Sequence, residues 1–128
     1  MMDDKYIPGV CNIGPAEISN RKLIGWAGLV LVIVLYILFS YLSISAGAYL
    51  ILFFPALASS IGFIQAYNHF CVNFGWRGLF NFGDKVGKTE TVVQKEFRKK
   101  DQTKAIKLTS ISLFISIIIA VIAFLLHI

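Results

Sequence analysis

Three stretches without a single charged side chain divide this sequence. They run from Leu23 to Leu42, from about Ala46 to Tyr67, and from Leu108 to Leu126. A helix of about 20 residues is roughly 30 Å long, which matches the hydrocarbon core of a bilayer. Only the turn around Ser43–Gly47 separates the first two stretches, so they are expected to form an antiparallel hairpin. The pattern predicts an all-α integral membrane protein with three transmembrane helices.

Local signals refine this outline. Gly14-Pro15-Ala16-Glu17 places proline at a first helical position and an acid in the first turn, so the first helix is expected to begin near Pro15, ahead of the membrane. Thr91 and Gln94 have the spacing of a capping box, and nothing from there to Leu126 breaks a helix. One long helix is expected, half outside and half inside the membrane. Pro55 removes a backbone hydrogen bond within the second span and predicts a kink near Ile51.

Composition supports the lipid reading. Apolar residues make up 57% of the 128 positions and the mean hydropathy is +0.74. A soluble chain this short has no means of hiding so much apolar side chain. The first stretch exceeds the apolar core of a signal peptide, so it is expected to remain as a span, although Ala46 and Ala48 follow it with cleavage-like spacing.

Charge sets an expected orientation. Three basic residues (Lys5, Arg21, Lys22) precede the first span, none lies in the hairpin turn, and nine lie between Asn68 and Lys107. Positive residues favour the cytoplasmic side. Residues 1–22 and 68–107 are therefore expected in the cytoplasm, with the turn and the C-terminus outside. The net charge of +5 is accounted for in this way, and nucleic acid is not expected as a partner.

Small residues mark helix contacts in membranes, because lipid tails give apolar side chains no reason to cluster. Ala58, Gly62 and Ala66 recur every four residues in the second span, and Ser112, Ser116 and Ala120 in the third. Gly25 and Gly28 lie near the start of the first. A central second helix with neighbours on both sides is the simplest arrangement.

Three features are candidates for chemistry. Gln65, Asn68 and His69 share a helical face, followed by Cys71 and Asn73. Cys11, His69 and Cys71 offer donors for a soft metal, though His-x-Cys is a weak signature and no fourth ligand is evident. The commoner explanation is an interfacial polar cap. The aromatic and glycine-rich segment Phe74–Gly83 suits the membrane surface. Arg98, Lys99, Lys100, Lys104 and Lys107, with Lys95, form a juxtamembrane basic cluster of the kind that attracts anionic lipid headgroups. No cofactor is clearly indicated, and two cysteines are too few for a disulfide scaffold.

The segments Pro8-Gly-Val-Cys-Asn-Ile-Gly-Pro-Ala-Glu17 and Asn68-His-Phe-Cys-Val-Asn-Phe-Gly75 resemble small prokaryotic multi-pass membrane proteins. The resemblance implies a prokaryotic inner membrane and no particular activity. No acid or base lies within the spans, and no phosphate-binding loop or nucleophile elbow is present. The expected role is non-catalytic: an accessory or assembly subunit that meets membrane lipids and a membrane-protein partner or further copies of itself. The alternatives are a thiol or metal handler using Cys11, His69 and Cys71, and a small oligomeric channel or transporter with Gln65 lining its path.

Overall fold

A computed structural model describes residues 6–128; Lys5, one of the basic residues counted above, lies outside them. Helix α1 spans Pro15–Tyr41. A 3-10 helix, Ala46–Leu52, runs directly into α2, Phe53–Asn68. The short α3 covers Val72–Arg77. Strands β1 (Leu79–Phe80) and β2 (Glu90–Thr91) pair antiparallel, with Leu79 opposite Thr91. Helix α4 takes up Lys95–Leu126. Three segments, Pro15–Tyr41, Ala46–Asn68 and Lys95–Leu126, are long and apolar enough to cross a membrane. The fold is an all-α, three-span membrane protein, with only one minor β-pair among the described residues.

Pro15 is the first residue of α1, where a missing N–H costs nothing. Pro55 reshapes the second span in a way its position explains. Proline within an α-helix clashes with the carbonyl four residues back. Here the preceding turn is wound as 3-10 and the α-helix starts at Phe53, which puts Pro55 in the first α-turn. The expected disturbance near Ile51 therefore takes the form of a change of helix type. The capping box does not form. Thr91 is taken up in β2, and α4 opens at Gln94 without a side-chain cap.

Helix α2 packs against α1 on one side and α4 on the other. The α1–α2 contact is very close. A Cβ on Gly28 would lie 2.6 Å from the Ser59 amide nitrogen and 2.8 Å from the Pro55 carbonyl oxygen. One on Gly62 would lie 2.7 Å from the Gly25 nitrogen. Ser59 uses this proximity, donating from Oγ to the Gly25 carbonyl at 2.9 Å. The row on α2 thus runs through Pro55, Ser59 and Gly62, whereas Ala58, expected in it, is only half-buried; Ala66 is buried. The buried line of α4 includes Ser112, Ser116 and Ala120. Both serines donate to carbonyls of their own helix, Leu108 and Ser112, so they add close contact rather than a bond across helices. Large apolar side chains such as Val30, Ile37, Phe114 and Ile122 face outward and are exposed.

The two ends differ. At the turn end, Tyr49, Leu52 and Ala123 form a small core. His127 stacks on Tyr49 with ring centroids 4.0 Å apart and meets the Tyr36 hydroxyl at 3.0 Å. The opposite, charged end carries the N-terminal segment, α3, the β-pair and the first turns of α4. Phe74–Gly83, expected at the membrane surface, keeps Trp76 exposed but is also packed into the protein. Phe74 and Gly75 are buried, Phe74 with Ile13 and Cys71, and α3 packs on α4. A Cβ on Gly75 would come within 3.0 Å of the Asp101 carbonyl oxygen, so only glycine lets α3 approach this closely.

Candidate functional site: the polar cap

The charged end is held by buried polar side chains that join segments distant in sequence. Helix α2 ends at His69, which adopts the left-handed conformation (φ 53°). The amide of Phe70 donates to Gln65 O and that of His69 to Ala66 O, closing a Schellman motif. Gln65 is buried, and its Oε1 accepts from the Val72 amide at 2.7 Å, tying α2 to α3. This reversal exposes the His69 carbonyl, which accepts from the amides of Asn12 at 3.1 Å and Ile13 at 3.4 Å.

Asn12 is fully buried. Its carboxamide grips the main chain of Cys71 twice. Oδ1 accepts from the Cys71 amide at 2.7 Å, and Nδ2 donates to the Cys71 carbonyl at 3.2 Å. The backbone of Asn12 accepts from the Asn81 amide at 2.9 Å, and Gly14 returns a bond to Asn81 O at 2.8 Å. The N-terminal segment thus threads between the end of α2 and the segment leaving β1.

Glu17, in the first turn of α1, is 1% exposed. One carboxylate oxygen accepts from Arg21 Nη1 at 2.9 Å. The other accepts from Asn81 Nδ2 at 2.8 Å and the Gly87 amide at 2.7 Å. A buried carboxylate is tolerated only when paired and hydrogen-bonded in this way. Arg21 also donates through Nη2 to Cys71 Sγ at 2.9 Å and lies 5.8 Å from the centre of the Phe74 ring. One guanidinium therefore joins α1 to the α2–α3 junction.

Asp101 anchors the first described residues to α4. Its two oxygens accept from the Tyr6 hydroxyl at 2.6 Å and the Gly9 amide at 2.7 Å. Tyr6 stacks on Phe80 at 4.8 Å. Burial, then the bond to Asp101 and its negative charge, push the Tyr6 hydroxyl above its ordinary pKa, so it stays a donor. Burial also pushes the Cys11 thiol upward, opposed by a backbone hydrogen bond with Ile7 and reinforced by Asp101.

Of the residues expected to form one polar cluster, Gln65 is committed to Val72. Asn68 bonds back to the Ile64 carbonyl at 2.8 Å, and Asn73 is exposed. They do not converge. The metal candidates are also separated in role: Cys71 is buried against Arg21, the His69 side chain is exposed, and Cys11 is half-buried. Among the described residues, no three His, Cys, Asp or Glu side chains are grouped so as to hold a metal ion. Their adjacency in sequence is used by the backbone of His69 and Cys71, not by imidazole and thiol together. Asn12, Glu17, Arg21, Asn81 and Asp101 are the residues that sequence reasoning did not assign to the cap.

The basic cluster is divided. Arg98 turns inward: Nη1 donates to the Val92 carbonyl at 3.4 Å, and its stem fills the space beside Gly78. Lys99 is exposed, and its carbonyl accepts from the Thr103 hydroxyl at 3.1 Å. Lys100, Lys104 and Lys107, with Thr103, line a groove closed on the other side by Pro8 and Gly9.

Within the cap, every buried side-chain nitrogen and oxygen of the described residues has a partner. The arrangement is suited to locking helices in register. No family model, curated protein or solved structure matches this chain.

Proposed function

We propose that this membrane protein is a non-catalytic accessory or assembly subunit of a larger membrane complex. The observation behind this reading is the contrast between its two ends. The polar groups of the cap are engaged with one another, which is the behaviour of a structural lock. Towards the turn end, α1 and α4 flank an uncovered groove of about 320 Å³, lined by Val32, Ile33, Tyr36, Ile37, Ile119 and Ile122 among others. Rigid helices with uncovered apolar flanks suit a role in which another membrane helix or lipid completes the packing. The nine basic residues near the cap support a cytoplasmic location for that end; the prokaryotic inner membrane rests on the sequence resemblance alone.

Gln65, on which a conducting path would depend, spends its acceptor on the Val72 amide, so the observation behind a channel reading is weakened. Cys11, His69 and Cys71 do not group among the described residues, so no observation favours the metal reading over the accessory one.

Purification of the full chain in mild detergent, followed by mass spectrometry of what accompanies it, tests the proposal. A membrane protein in fixed stoichiometry is expected. A strictly solitary monomer under conditions that preserve other membrane complexes would overturn it.

A further inference from the structure

We infer that the groove between Lys100, Lys104, Lys107 and the Pro8–Gly9 turn is a binding site for a phosphate group carried in the headgroup layer, most directly that of an anionic phospholipid. Lys100, Lys104 and Lys107 follow i, i+4, i+7 spacing, so one face of α4 carries all three. The groove is concave because Gly9, with φ +71°, brings the turn against α4; a Cβ there would lie 3.2 Å from Lys100 Cβ. The Gly9 amide is spent on Asp101. That bond holds the wall in place, and the Asp101 carboxylate that makes it is fully buried.

Among the described residues no acid lines the groove, and none of the three ammonium groups is in an ion pair. Three like charges on one face repel one another, and an anion relieves that repulsion. The depth is right as well. Lys107 directly precedes the apolar run that begins at Leu108, so the lysines span about 10 Å of helix immediately outside the hydrocarbon. Lysine binds phosphate as a flexible point charge, which suits a headgroup that is itself mobile. A topogenic role would need only the number of positive charges; a built groove adds position.

The test uses the full-length protein in a neutral detergent. The shift in unfolding midpoint is followed during titration with phosphatidylglycerol, phosphatidylcholine or inorganic phosphate, and binding strength is obtained from the concentration dependence. Lys100→Gln/Lys104→Gln/Lys107→Gln is compared with Lys85→Gln/Lys88→Gln/Lys95→Gln, which removes the same charge elsewhere. Phosphatidylglycerol is expected to bind the wild type more tightly than phosphatidylcholine. The groove variant should lose roughly fivefold per lysine, and the control variant little. A triple arginine variant of the groove should retain binding, which separates loss of charge from loss of fold. If inorganic phosphate gives the same lysine-dependent shift, the site stands with free phosphate as its ligand; if it gives none, the lipid is the ligand. Equal losses in the two glutamine variants, or no preference for phosphatidylglycerol in the wild type, would overturn the inference.

Discussion

The side chain of Asn12 forms a two-point clamp on the backbone of Cys71, 59 positions away. Carboxamide oxygen and nitrogen take the places that a neighbouring strand would fill. Replacing Asn12 by alanine leaves the buried Cys71 N–H unpaired, at about 1–3 kcal/mol, while the Cys71 carbonyl keeps the Gly75 amide at 2.9 Å. Asn12→Ala should lower the unfolding midpoint in detergent and speed maleimide labelling of Cys71. Unchanged labelling would show that the clamp does not hold the α2–α3 junction closed.

Glu17 and Arg21 form a buried pair on successive turns of α1. Glu17→Gln keeps the shape but leaves the guanidinium without its countercharge, with an expected loss of about 3 kcal/mol. The exposed Glu96→Gln is expected to fall within about 0.5 kcal/mol of wild type. Denaturant titrations of the two variants side by side decide this, and equal stability would mean the pair is dispensable.

Gly28 lies at a close approach of α1 and α2. A methyl group there meets backbone atoms, which cannot swing aside as a side chain can. Gly28→Ala should cost about 1–3 kcal/mol by forcing the helices apart. Gly47→Ala, with nothing within 4 Å, should be neutral. Thermal unfolding in one detergent compares them, and matching midpoints would contradict the close contact.

The thiol of Cys11 titrates high because burial disfavours its anion and Asp101 adds to the effect. The thiolate is the reactive form, so a raised pKa means less reactive species at any given pH. The pH profile of Cys11 alkylation, read by peptide mass spectrometry, should have its midpoint above that of an ordinary exposed thiol. Asp101→Asn removes a negative charge and should move that midpoint down. A wild-type midpoint at or below the ordinary value would contradict the burial.

The spans were legible because apolar length is a local property that survives any packing. Pro15 marked the start of α1 for a similar reason: the first turn of a helix needs no N–H from proline. The single long helix through the basic segment was legible too, although Thr91 was miscast as its cap because strand pairing with Leu79 lies outside a local window. The cap itself was much less visible. Asn12 reaches Cys71, Glu17 reaches Gly87 and Tyr6 reaches Asp101, across separations of 59, 70 and 95 residues. No periodicity encodes such pairs. A faint signal did exist in Glu17 and Asp101, two acids in a strongly basic surround, where a carboxylate with a buried partner was worth suspecting. His69 and Cys71 drew attention for their side chains, while the structure uses their peptide groups.

Those separations also impose a sequence of events on synthesis. As the ribosome extends the chain, Asn12 meets its partner once the second span has been made. Glu17 must then wait for Gly87, and Tyr6 for Asp101, which emerges immediately before the third span. Of the three, only the last brings a carboxylate its first partners from distant sequence, since Glu17 has Arg21 four residues along its own helix. The N-terminal segment is therefore fastened last, when the chain that follows α2 has been made.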